Sequence, residues 1–229
     1  MSPSIKATRG SAVAVHLPPC WRKKSGRPPL IFQLSRMRQA RIYPVMAEMA
    51  EFHLDEAMAV LARTPATLDA QLRGLPDSWV RCNEGRDTWS AFDIVGHLVH
   101  GERTDWMPRA RILLEHGESR PFDPFERFAQ MKESQGKTLE QLLDEFGLLR
   151  AENLSALRAL NLQPKDLTRR GRHPALGAVT LSELLAAWTV HDLTHVHQLS
   201  RVMAHQYRDA TGPWSTYLGV LQCAGHSSQ

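Results

Sequence analysis

The chain has 229 residues, with 28 Lys or Arg against 24 Asp or Glu, a net charge of +4 and an apolar fraction of 42%. That suits one sizeable globular domain, or one domain with an appendage, and no apolar run approaches the roughly 18 residues a membrane-spanning helix needs, so no membrane partner is expected. Cys20, Cys82 and Cys223 are odd in number, far apart and in no CxxC pair, which argues against a disulfide framework and makes a reducing, cytoplasmic location the expectation.

The positive charge is unevenly placed. Residues 1–45 carry nine Lys or Arg and no acid, leaving 19 basic against 24 acidic residues in 46–229, a net of −5. The first 45 residues therefore read as a basic, disordered extension. Loose nucleic-acid binding or a transit peptide are alternatives. The favoured expectation is an upstream translated extension, with Met37 or Met46 the natural start and no specific nucleic-acid partner. The folded domain is expected over residues 46–229.

From Phe52 the pattern is helical. FHLDEAMAVLARTPATLDAQLRGL (52–75) carries Leu54, Met58, Leu61, Leu68 and Leu72 near helical period and stops at Gly74 before Pro76. PDSWVRCNEGRDTW reads as a polar connection. A second helix opens after Trp89, with Ser90 as N-cap and Asp93 in capping-box position. It runs to Gly117, and Pro108 is expected to kink or divide it. ESRPFDPFERFAQ follows as an irregular segment whose three phenylalanines lie over the core.

The third helix opens at Thr138 with Gln141 completing a capping box, and its stripe is Leu139, Leu142, Leu143, Phe146, Leu149, Leu154 and Leu157. PKDLTRRGRHPALGAV reads as a basic, turn-rich loop. The fourth helix opens with Thr180 and Glu183 and reaches about Gln206; TGPWSTYLGVLQ is a short amphipathic close. Four long helices, no convincing strand pattern and no repeat predict an all-α four-helix bundle.

The fourth helix contains HDLTHVHQ (191–198), three histidines and an aspartate in eight positions. Its stripe of Leu181, Leu184, Leu185, Trp188, Leu199, Val202 and Met203 continues through the gap onto His191 and His195, one turn apart on one face. Imidazoles at i and i+4 can reach one ion, although an isolated HxxxH is as readily two hydrogen-bonded histidines. Asp192 and His197 are expected to point elsewhere, Asp192 toward a surface hydrogen bond or salt bridge. A third ligand must come from a facing helix. HLVHGE on the second helix offers His97, His100 and Glu102. Helical geometry mildly prefers His97 and places His100 toward solvent, and Glu102 falls inside the apolar arc as an outer acceptor, an occasional ligand or a salt-bridged core acid.

TWSAFDIVGHLVHGE, followed by LLAAWTVHDLTHVHQLSRVMAHQYRDATGPWSTYL, resembles the DinB-like superfamily of metal-binding four-helix bundles. The resemblance spans about Phe52 to Leu221. Its marks are the Trp-Ser helix start with a histidine eight residues after Trp89, and the late HxxxHxxQ. It implies a divalent metal, zinc or nickel, held by His97, His191 and His195, all intact here.

Three neutral imidazoles with an open position resemble a catalytic rather than a structural site, because structural zinc is usually closed by four protein ligands. Relatives of this family use low-molecular-weight thiols, which implies a small-molecule substrate and metal-dependent thiol transfer, with homodimerisation also implied. Metal-dependent hydrolysis with Glu102 or Asp192 as base is the competing enzyme reading. A stress-related metal- or small-molecule-binding protein is the non-enzymatic one. A serine hydrolase has no GxSxG support. Asp192, Gln198 and Glu102 are candidates for orienting the imidazoles. Arg169, Arg170 and Arg172 are candidates for an anionic cosubstrate, though a solvated loop is the plainer reading, and Trp106, Trp188 and Trp214 are expected in the core.

Overall fold

Two prolines and three capping boxes set where the helices begin and break. The computed structural model describes residues 51–223; the basic extension of residues 1–45 lies outside the described residues. Chain order is α1 (Leu54–Leu61), α2 (Thr64–Leu72), α3 (Asp77–Val80), α4 (Ala91–Thr104), α5 (Trp106–His116), α6 (Ala129–Glu133) and α7 (Leu139–Ala159). There follow α8 (Pro164–Leu167), a hairpin of β1 (Arg170–His173) and β2 (Gly177–Thr180), the long α9 (Leu181–His205), and 3-10 turns at Gly212–Tyr217 and Gly219–Leu221. The α1–α2 pair, the α4–α5 pair, α7 and α9 make the predicted four-helix bundle.

The capping boxes form as expected. Ser90 with Asp93, Thr138 with Gln141 and Thr180 with Glu183 each exchange hydrogen bonds between N-cap and third residue, fixing the phase of α4, α7 and α9 from their first turn.

The first helix is not continuous as expected: it is split at Ala62–Arg63. Pro65 has no N–H for the Leu61 carbonyl four residues back. Arg150 from α7 donates to that carbonyl instead, at 2.8 Å. The second helix divides as expected, but at Asp105. Pro108 acts on the carbonyl four residues back, Thr104, so the break falls ahead of the proline rather than at it.

The basic loop contains a hairpin that the sequence did not announce. β1 and β2 pair antiparallel with Arg170 opposite Thr180 and His173 opposite Gly177. Each strand has four residues without apolar alternation, so periodicity had nothing to detect. Gly171 lets it lie close on α5, since a Cβ there would meet Leu113 and the Phe122 ring at 3.0 Å. Phe122 is buried, whereas Phe128 is exposed, so the three phenylalanines do not all cover the core as expected. Trp214 is likewise exposed on its 3-10 turn, not packed in the core as expected, while Trp106 and Trp188 are buried.

Among the described residues the apolar interior falls into two clusters. One joins Leu68 and Leu72 with Ile94 and Val95, Leu142 and Phe146, and Leu199 and Val202. The other joins Met58 and Leu61 with Met107 and Leu113, Leu154 and Leu157, and Leu185 and Trp188. Along α4–α5, α7 and α9 the residues between these clusters include Glu102, Arg150 and Asp192, all buried. A polar layer therefore crosses the middle of the bundle, and the histidines belong to the same level of it.

Candidate metal centre

His97 comes from α4, and His191 and His195 from adjacent turns of α9. His191 Nε2 lies 3.1 Å from His97 Nε2 and 3.1 Å from His195 Nε2. Among the described residues these three form a group whose ligand atoms all lie within 4.8 Å of one another. His97 and His195 are buried and His191 is half-buried. The sequence-predicted trio is thus brought together.

The donor set has a definite chemistry. His195 Nδ1 donates to Gln198 Oε1 at 2.8 Å, which leaves a lone pair on its Nε2. His97 Nδ1 and His191 Nδ1 are buried with no hydrogen-bond partner. His191 Nε2 can form a hydrogen bond with only one neighbour, as donor or as acceptor, so at least one of the two close nitrogen pairs has none. A cation at the convergence satisfies all three. Nitrogens bound at about 2.0–2.1 Å to one tetrahedral zinc sit about 3.3 Å apart, close to the observed 3.1 Å. The residues fit a divalent ion, and among the described residues no fourth His, Cys, Asp or Glu joins the group.

Burial holds the imidazoles neutral. It pushes His97 down to about 3, helped by charge on His195, Arg127 and His100. Burial likewise takes His191 well below the ordinary histidine range, with His195 and His97 adding to the effect. His195 is also lowered by burial, partly offset by its bond to Gln198. Protons therefore do not compete for the ligand nitrogens at neutral pH.

The sign of the acid response follows. As pH falls below about 6.5, the unfolded chain takes protons on these histidines that the folded, metal-free chain refuses, so stability falls with pH until about 3 for His97. In chelator-treated protein the urea midpoint is expected to drop more steeply between pH 7 and 5 in the wild type than in His97→Leu. The difference approaches about 1.4 kcal/mol per pH unit per histidine below its unfolded pKa. Parallel midpoint curves for the two proteins would contradict this.

A cavity of about 250 Å³ opens over the cluster. Its aromatic wall is Trp89, Trp106 and Phe125, with ring centroids 4.8 Å from His97, 5.0 Å from His191 and 5.5 Å from His97 respectively. Asp105, at the break between α4 and α5, also lines it. Asp105 pairs with Arg109 at 2.5 Å. Burial raises its carboxyl to about 6 against the opposing charges of Arg109 and His100.

Several expectations need correction. Asp192 does not face the surface: it is fully buried and takes Arg150 Nη1 at 2.6 Å and Nη2 at 3.0 Å. For Glu102, one of the expected alternatives holds: it is a salt-bridged core acid, accepting from Arg150 at 2.8 Å, Trp188 Nε1 at 3.1 Å and Asn153 at 2.9 Å. Both carboxylates are buried against Arg150 and neither lines the cavity above the histidines, so neither is placed to act as a general base there. His100 is buried rather than solvent-facing, because α6 lies over α4 and Glu133 meets His100 Nδ1 at 3.0 Å. Gly96 permits that cover: a Cβ there would sit 2.5 Å from Ser134 Oγ. His197 is exposed and takes no part. Sequence reasoning missed Arg150, although a charged residue at helical spacing between Phe146 and Leu154 was a visible signal. It also missed Asp105, which the helix break displaces into the cavity.

The fold and the cluster define a class: an all-helical bundle with three histidines gathered at the floor of a small pocket. A sequence model of the DinB superfamily matches residues 61–199, and the chain belongs to that superfamily. Among solved structures it is similar to YfiT from Bacillus subtilis, described as "a probable metal-dependent hydrolase with an unusual four-helix bundle topology". That similarity has 20% identity and a TM-score of 0.57, over 69% of this chain and 87% of YfiT. No curated protein matches the chain. Among the described residues no helix is long and apolar enough to cross a membrane.

Proposed function

We propose that this chain is a metal-dependent enzyme in which His97, His191 and His195 hold a divalent ion, zinc or nickel, and a low-molecular-weight thiol is transferred to a small electrophile. The observation that carries the reading is the convergence of three neutral Nε2 atoms beneath an open cavity. When bound, the ion supplies a Lewis-acid centre that lowers the pKa of a thiol or water. Gln198 fixes the His195 tautomer. Trp89, Trp106 and Phe125 restrict water and shape the space for a small reactant. Asp105 is the carboxylate of the cavity wall, and a value near 6 leaves it mostly ionised at neutral pH and able to take the proton lost by the nucleophile.

Hydrolysis is the second reading, favoured by that same carboxylate, which serves water as well as a thiol, and by the description given to YfiT. One assay separates the two. Metal-loaded protein is incubated with a panel of small electrophiles and of ester and amide substrates, with and without a thiol. Turnover only with thiol supports transfer; turnover without it supports hydrolysis. Asp105→Asn is expected to lower kcat about 10²- to 10⁴-fold in either case. Metal retention without turnover across the panel would favour a binding protein.

A further inference from the structure

The cavity wall carries a cation that the proposed chemistry does not use. Its polar groups above the histidines are Asp105, Arg109, Arg127 and His173. Arg109 is held by Asp105, its Nε against Oδ1. His173 Nδ1 accepts the backbone N–H groups of Ala175 and Leu176, both at 3.1 Å, which places its proton on Nε2 as a donor. Arg127 is half-buried, with its guanidinium carbon 5.0 Å from the centre of the Trp89 ring. Its side chain makes no ion pair or hydrogen bond with any described residue. Its charge also reaches the cluster: after burial and the charge on His195, it is the next cause of the depressed His97 pKa. Beyond the histidines and the Asp105 carboxylate held by Arg109, the wall therefore offers two donors without an acceptor, Arg127 and His173 Nε2.

We propose that Arg127 is the recognition residue for a small organic carboxylate seated in this cavity. A guanidinium stacked on an indole has its rotation restricted and its fork free, the geometry that takes a carboxylate through two parallel N–H···O bonds. The single guanidinium fork matches one carboxylate, whereas a phosphate group calls for more free donors than Arg127 and His173 supply. The volume of about 250 Å³ lies at or below the small end of ligand pockets and excludes a nucleotide-sized molecule. Phe125 and Trp106 give the body of the ligand an apolar surface. The inference rests on this cavity being where a reactant sits, and it holds for thiol transfer and hydrolysis alike.

Benzoate and its neutral isostere benzamide are the probes. Binding is measured by calorimetry and by quenching of tryptophan fluorescence on the metal-loaded full chain, in wild type, Arg127→Gln and Arg127→Lys. Wild type is expected to bind benzoate about ten- to hundredfold more tightly than benzamide, the scale of a charge-assisted hydrogen-bonded pair. Arg127→Gln should abolish the preference with metal content unchanged, and Arg127→Lys should retain part of it. Equal affinity for the two probes, or no saturable benzoate binding, overturns the proposal. A preference that survives Arg127→Gln but disappears in His97→Ala also overturns it, because the metal then holds the carboxylate. An Arg127-dependent preference in protein that binds no metal leaves this inference standing and sinks the metalloenzyme reading.

Discussion

Replacing His195 by alanine is expected to take bound metal from near one equivalent to near zero in protein purified without a histidine tag. His97→Ala and His191→Ala should do the same, since each leaves two imidazoles where three converge. The loss in affinity should exceed the 10- to 100-fold typical of removing an outer-shell partner. Gln198→Ala supplies that comparison, because it frees the His195 tautomer while leaving all three nitrogens in place. Elemental analysis and a competition titration with a chromogenic chelator read the series. In the wild type, stripping the ion should also lower Tm, because a ligand bound only by the folded state stabilises it by mass action. Absence of metal after reconstitution with zinc and with nickel would end the metalloenzyme reading.

The trio was legible because everything that positions it is local to two helices. Capping boxes at Ser90 and Thr180 set the phase of α4 and α9, and 3-4 spacing then places His97, His191 and His195. Asp192 was misread by the same arithmetic. From Trp188 the stripe runs through Asp192 to His195 as readily as through His191, so a buried acid was in register. Treating a charge as surface is a sound default until a buried partner exists. Arg150 is that partner, on a third helix whose pairing with α9 no spacing within one helix reveals. The hairpin was illegible for a different reason: its four-residue strands lack alternation and are held by their pairing and by Gly171 against α5. The exposure of Phe128 and Trp214 likewise depends on how connecting segments lie over the bundle, which composition does not determine.

Arg150→Met is expected to destabilise the fold by about 3–5 kcal/mol, a large part of the 5–15 kcal/mol typical of a domain. The guanidinium is 1% exposed and pairs with two carboxylates that are themselves buried, Glu102 and Asp192. Methionine fills much of the volume but leaves both charges and the Leu61 carbonyl without the partner each now has. The comparison that identifies the cause is a triple variant, Glu102→Met with Arg150→Leu and Asp192→Leu. Removing all three charges together should recover most of the loss, because burying ions is itself costly. Recovery stays incomplete, since Trp188 Nε1 and the Leu61 carbonyl remain unpaired at about 1–3 kcal/mol each. Urea unfolding of the metal-free proteins measures this; equal loss in single and triple variants would mean that packing, not charge, sets the effect. The layer also bears on the histidines. Glu102 follows His97 by five residues on α4 and Asp192 follows His191 directly on α9, so Arg150 ties together the two helices that carry the trio. Weaker metal binding in the triple variant, with the fold largely restored, would show that this tie holds the imidazoles in register. Unchanged affinity would assign that task to the apolar clusters on either side.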